Sequence, residues 1–206
     1  MFGGVPLKQP LGVILAGGQA TRMGGGDKGL RILGGQSLLA RVEARLSPQV
    51  AQVALNANGD PARFAALDLP VIADSIEGFA GPLAGVLAGL DWAATQGADT
   101  IVTAAADTPF FPCDLVPQLL LASEGMTHPL VLASTPDPER GRVRHPTFGL
   151  WPVALRDDLR GALEGGLRKV VLWTDTHGGR EALFSDENTF FNVNTPEDLA
   201  QAERML

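Results

Sequence analysis

Short apolar runs closed by glycine, asparagine or aspartate alternate along this chain with segments of helical periodicity. "LGVILAG" (11–17) is rich in Val, Ile and Leu and stops at Gly17-Gly18. Gln52–Asn58, Leu69–Asp74 and Thr100–Asp107 repeat the pattern, and Pro129–Thr135 and Pro146–Trp151 are further strand segments. Between them, "SLLARVEARL" carries apolar residues at 38, 39, 42 and 46, and "GPLAGVLAGLDWAATQG" and "CDLVPQLLLASEG" read as helices. In the last of these Pro117 has to fall in the first turn, where its missing N–H costs nothing. Strands alternating with helices predict an α/β fold: a three-layer α/β/α sandwich with a mostly parallel sheet covered on both faces.

In such sheets ligands collect beyond the carboxyl ends of the strands. Gly17, Asn56, Asp74 and Asp107 all fall there. Each also has an ordinary explanation as a turn residue; four together beside a glycine-rich segment point to a site. At the other end of the chain, "NTPEDLAQAERML" starts a helix, with Thr195 as cap, Pro196 at the first helical position and Asp198 completing a capping box. "STPDPERGRVRHP" (134–146) reads as a polar loop where a substrate lobe meets the sheet.

A length of 206 residues suits a single domain, read here as a nucleotide-binding half over about 11–110 and an acceptor-binding half over about 111–206. The net charge of −7 argues against a broad nucleic-acid or anionic-membrane surface. The single cysteine, Cys113, excludes an intrachain disulfide and fits a cytoplasmic location. No run reaches the length of a membrane span, and the first ten residues hold no hydrophobic signal core.

The segment "VILAGGQATRMGGGDKGL" (13–30) bears most on function. Glycines between a strand and a helix let backbone N–H groups approach phosphate oxygens. Gly24-Gly25-Gly26-Asp27-Lys28-Gly29 satisfies G-x-G-x-x-G, but it begins seven residues after the strand ends, which is wrong for a dinucleotide fold. A P-loop fits poorly, because Lys28 follows Asp27 and precedes Gly29, so no hydroxyl stands ready to hold magnesium.

Leu15-Ala16-Gly17-Gly18, Arg22-Met23-Gly24 and Asp27-Lys28-Gly29 together resemble the signature of nucleotidyltransferases with a glycosyltransferase-A-like, Rossmann-like fold. Within them the chain is most similar to the molybdenum cofactor guanylyltransferases. The likeness continues through "LNAN" (55–58), "VIADS" (71–75), "GPLAG" (81–85), "DTPF" (107–110), "RHPT" (144–147) and "FFNVNTPEDLAQAE" (190–203).

The resemblance implies transfer of GMP from GTP to the terminal phosphate of molybdopterin, with magnesium as cofactor. It also implies partner proteins for molybdenum insertion and cofactor delivery. It assigns Arg22 and Lys28 to the triphosphate, and Leu15, Ala16 and Gly17 to backbone contacts with the nucleotide. Asn56 and Asp74 go to guanine or its ribose, and Gly81 to close packing against the ligand. Asp107 becomes the metal ligand, Asn194 a second ligand or a group facing the acceptor, and Asn192 a neighbouring binding residue. Arg144, His145, Arg168 and Lys169 are candidates for the acceptor. The chemistry agrees with this inventory. An acceptor phosphate is already an anion near neutral pH, so no strong base is required, and the task is to position and neutralise charge. Three histidines, one cysteine and no tyrosine suit such a mechanism better than covalent catalysis. Two alternatives stay open on the residues: a cytidylyl enzyme of the same fold, and a GTP-binding carrier that transfers nothing.

Overall fold

The computed structural model describes residues 8–17, 27–76, 78, 81–186 and 188–206. Its centre is a seven-stranded sheet. In chain order the strands are β1 (Leu11–Leu15), a small hairpin β2 (Ile32–Leu33) and β3 (Gln36–Ser37), β4 (Val53–Asn56), β5 (Val71–Ile72), β6 (Thr100–Ala105), β7 (Val131–Asp137), β8 (Gly141–Pro152) and β9 (Arg180–Leu183). The helices are α1 (Leu38–Leu46), α2 (Pro82–Thr95), α3 (Leu115–Ala122), α4 (Arg156–Glu164), α5 (Val170–Thr176) and α6 (Pro196–Glu203). The main sheet runs β5-β4-β1-β6-β8-β7-β9. The pairings β5–β4–β1–β6 and β7–β9 are parallel, and β8 lies antiparallel between β6 and β7.

Alternation along the strands builds a core on each face. Ile14, Leu55, Val102, Val131, Ala133 and Leu150 point to one side, where α1 and α3 supply Leu39, Val42, Leu46, Leu115 and Leu119. Val13, Ile101, Leu130, Leu132 and Trp151 point to the other, against Leu83, Val86, Leu87 and Leu90 of α2, Leu159 and Leu163 of α4, and Trp173 of α5. The four apolar positions read for α1 are all buried. Ser37 caps that helix by accepting from Ala40 N at 3.1 Å. Pro117 sits in the first turn of α3, and α6 carries the full Thr195–Asp198 capping box.

One expectation is overturned. Residues 134–146 are not a loop. They form most of a long hairpin in which Ser134 pairs with Arg144, Thr135 with Val143, Pro136 with Arg142 and Asp137 with Gly141. Asp137 Oδ1 closes its tip, accepting from Glu139 N at 3.0 Å and Arg140 N at 2.7 Å. The physical reason is positional. β9 pairs with β7 only as far as Ser134, so Pro136 lies where the ladder needs no N–H on that side. Strand β8 accordingly begins at Gly141, five residues before the expected Pro146.

Candidate active site

Three central strands deliver the site to one edge. Leu15 is in register with Asn56 on β4 and with Ala105 on β6, so Ala16-Gly17, Ala57-Asn58 and Ala106-Asp107 leave the sheet side by side. The backbone continues the ladder past the strand ends: Ala16 N donates to Asn56 O at 2.9 Å, and Ala106 N to Leu15 O at 3.1 Å.

On the β6 side, Lys28 Nζ donates to Asn194 Oδ1 at 2.7 Å and lies 3.8 Å from Asp107 Oδ2. The side chains of Lys28 and Asp107 are about a quarter exposed, at 24% and 23%. Burial pushes the Asp107 carboxyl above its ordinary range, and the Lys28 charge and the Thr108 hydroxyl only partly oppose this. Thr108, fully buried, directs its hydroxyl toward Asp107 Oδ1 and Asn192 Oδ1. Val193 N donates to Asp107 O at 2.8 Å, which clips the 192–194 segment to the end of β6. Asp198 Oδ2 accepts from the N–H groups of Asn194 and Thr195, each at 2.9 Å, so the α6 capping box holds Asn194 in place. Beneath it, Val193 and Ala202 pack with Leu33 and Leu38.

On the β4 side, the buried Asn56 donates to Asp74 Oδ1 at 3.0 Å and to Ile72 O at 3.2 Å. Asn58 Nδ2 donates to Asp74 Oδ2 at 2.8 Å, and Asp74 N donates back to Asn58 Oδ1 at 2.9 Å. Gly85, the second glycine of "GPLAG", explains the tight fit. A Cβ there would collide with Asn56 Oδ1 and come within 2.9 Å of Leu15 Cδ2. Gly81 precedes α2 as its N-cap residue, with Pro82 next.

The structure thus gathers Lys28, Asp107, Asn192 and Asn194 into one group. Asn56 and Asp74 form a second, and Leu15, Ala16 and Gly17 lie at the strand edge beside it. Arg22, with the rest of 18–26, lies outside the described residues. The acceptor candidates are engaged elsewhere. Arg144 Nε donates to Glu181 Oε1 at 2.6 Å and Nη1 to Asp175 Oδ1 at 2.7 Å. The Glu181 bond raises the Arg144 pKa further. Burial alone would lift the Glu181 carboxyl, but Arg144's hydrogen bond and charge help hold it below its usual range. Arg168 Nη1 donates to Leu163 O and Leu167 O at the end of α4, and Lys169 is the N-cap residue of α5. His145 shares a hydrogen bond with Thr135 Oγ1 at 2.9 Å and stacks on Phe190 at 4.3 Å between centroids. Burial depresses its pKa to about 4.

Sequence reading passed over Asn58 and Thr108, and gave Asp198 only as part of the α6 capping box, not as the group that also holds the Asn194 N–H. Asn58 had a visible signal, since it stands two residues after Asn56 in "LNAN". Thr108 had none, because its role depends on a partner 84 residues away.

A sheet of this order, with a lysine, a carboxylate and amide side chains converging beyond its central strands, is the frame of an α/β nucleotidyltransferase. The family model for the MobA-like NTP transferase domain matches residues 12–178. The chain belongs to that family. It is 53% identical over 195 residues to a molybdenum cofactor guanylyltransferase of Cereibacter sphaeroides, covering 95% of this chain and 96% of the relative. Among solved structures it superposes on molybdopterin-guanine dinucleotide biosynthesis protein A from Archaeoglobus fulgidus (TM-score 0.69, 23% identity, 95% of this chain and 97% of that one). It also superposes on 4-diphosphocytidyl-2C-methyl-D-erythritol synthase from Anaerococcus prevotii (TM-score 0.74, 14% identity, 96% of each chain). The last likeness shows that the fold serves a cytidylyl enzyme as well, so the fold alone does not choose the base.

Proposed function

We propose that this protein transfers GMP from GTP to the terminal phosphate of molybdopterin, forming molybdopterin guanine dinucleotide and releasing pyrophosphate. The carrying observation is the convergence of Lys28, Asp107 and Asn194 in front of the Leu15–Gly17 strand end. Kinship with relatives named for this activity supports the same reading.

In the reaction an oxygen of the acceptor phosphate bonds to the α-phosphorus of GTP. The bond from that phosphorus to the bridging oxygen breaks, and its electron pair leaves with pyrophosphate. Lys28 holds phosphate oxygens as a point charge, and the resemblance assigns Arg22 to the same triphosphate. Asp74 accepts from the N1–H and N2–H₂ of guanine, held in orientation by Asn56 and Asn58. The residues present fit a divalent cation. Two hard oxygens, Asp107 Oδ2 and Asn194 Oδ1, already face one cationic centre, the Lys28 ammonium. A magnesium site of one carboxylate completed by phosphates and water needs no larger protein cage. Asp107 and Asn194 would hold magnesium, which would supply neutralisation of the charge on the departing pyrophosphate. Arg144 and Arg168 are the acceptor contacts we propose, and Arg144 would have to exchange its bonds to Glu181 and Asp175 for the acceptor. Among the described residues no helix is long and apolar enough to cross a membrane. The single cysteine fits our assignment of the reaction to the cytoplasm.

The test is pyrophosphate release from GTP and from CTP, each with molybdopterin and magnesium. Release from GTP alone supports the reading. Preferred use of CTP makes the protein a cytidylyl enzyme, and GTP binding without release in single turnover makes it a carrier.

A further inference from the structure

The two groups at the sheet edge are joined by one side chain that the mechanism above does not use. Arg63 lies in the 3₁₀ segment Pro61–Leu67, between β4 and β5. Its Nη1 donates to both carboxylate oxygens of Asp27, at 2.8 and 2.7 Å. Its Nη2 donates to Asn58 O at 2.6 Å, and its Nε to Asp60 O at 2.9 Å. All three guanidinium nitrogens are therefore committed.

Each partner leads into the site. Asp27 immediately precedes Lys28, the residue that meets Asp107 and Asn194. Asn58 is the residue whose side chain forms a reciprocal pair with Asp74. Gly59, at φ +87°, turns the chain so that the carbonyls on either side of it both reach Arg63. Asp60 stabilises that turn by accepting from Ala62 N at 2.9 Å. An isolated surface ion pair does little. Here a planar fork ties two backbone carbonyls and a carboxylate from separate segments, which a lysine cannot reproduce.

We infer that Arg63 is a positioning residue that locks the phosphate-contacting Lys28 to the base-reading Asn58–Asp74 pair, so that recognition of the base and placement of the triphosphate depend on each other. This rests on the nucleotide reading given above. Arg63 touches no reacting atom; it acts through Asp27 and Asn58.

The experiment compares wild type, Arg63→Ala, Arg63→Lys and Asp27→Asn in kcat and KM for GTP and for ITP, which lacks the 2-amino group. Affinity for inorganic pyrophosphate and melting temperature are measured alongside. Loss of charge-assisted bonds predicts that Arg63→Ala raises KM for GTP about tenfold and erodes the GTP-over-ITP preference about fivefold. It also predicts weaker pyrophosphate binding. Arg63→Lys recovers pyrophosphate affinity better than base preference, because one ammonium can pair with Asp27 without also reaching Asn58 O. An unchanged GTP:ITP ratio and pyrophosphate affinity in Arg63→Ala, with only the melting temperature lowered, overturns the inference. Should that variant not fold, the same ratio in Arg63→Lys and Asp27→Asn decides it. Wild-type protein that releases no pyrophosphate from GTP overturns instead the reading of the site on which the inference stands.

Discussion

Lys28 and Asn194, 166 positions apart, meet through a 2.7 Å hydrogen bond from Nζ to Oδ1, with Asp107 Oδ2 3.8 Å from the same ammonium. That meeting carries the first prediction. Asp107→Asn should lower turnover by at least about a hundredfold, the scale of losing a group that stabilises transition-state charge. Burial raises the Asp107 pKa, so the folded state holds its proton more tightly than the unfolded chain. The ionised form therefore opposes folding above that pKa. At neutral pH the variant should melt at or above the wild-type temperature, as differential scanning calorimetry would show. A clear drop in melting temperature would contradict this account of the carboxylate.

Removing divalent cations should stop pyrophosphate release, and adding magnesium back should restore it. Asp107→Asn and Asn194→Ala should each shift the magnesium titration of the remaining activity to higher concentration. Full activity in excess EDTA would remove the metal from the mechanism.

Gly85 faces Asn56 with no room for a methyl group. Gly85→Ala should displace Asn56 and loosen Asp74, raising KM for GTP about tenfold or more through one lost set of base contacts. The variant should also be less stable by about 1–3 kcal/mol from overpacking. Parallel kinetic and urea-melt measurements separate the two effects.

Thr195 accepts from Asp198 N at 3.1 Å, and Asp198 holds the Asn194 N–H. Thr195→Ala should cost about 1 kcal/mol, the usual loss of an N-cap. It should also lower kcat, because Asn194 loses its fixed orientation. Thr195→Ser should retain most of both properties.

His145 has a folded pKa of about 4 against an ordinary 6.5. Between these values the unfolded chain binds the extra proton, so the stability contributed by neutral His145 is complete above about pH 6.5 and is lost as pH falls toward 4. Melting temperature measured over that range should show this acid limb, and His145→Gln should flatten it. An identical limb in the variant would assign the effect to other groups.

Much of this was legible beforehand. The apolar runs at 11–17, 52–58 and 100–107 enclose β1, β4 and β6, because a strand buried on both faces needs consecutive Val, Ile, Leu or Ala. The last helix was legible because a capping box is written in four adjacent residues. α4, α5 and β9 escaped notice. "RDDLRGALE" carries five charges in nine residues, and "REAL" has no β-branched residue to mark an edge strand. At the site, Asn56, Asp74 and Asp107 stood out as polar residues at the ends of apolar strands. Arg63 stood in an unremarkable turn.

The chain's local periodicities determined by themselves the central strands β1, β4 and β6 and the helices α1, α2, α3 and α6, and that the polar strand ends share one edge. They did so because burial on a sheet face or a helix stripe is set by neighbours two to four positions away. Only the tertiary structure decided that 134–146 pairs as a hairpin, that Arg144 spends its charge on Glu181 and Asp175, and that Arg63 spans Asp27 and Asn58. Those outcomes depend on which distant backbone comes to lie alongside, and no local repeat of side chains encodes that choice.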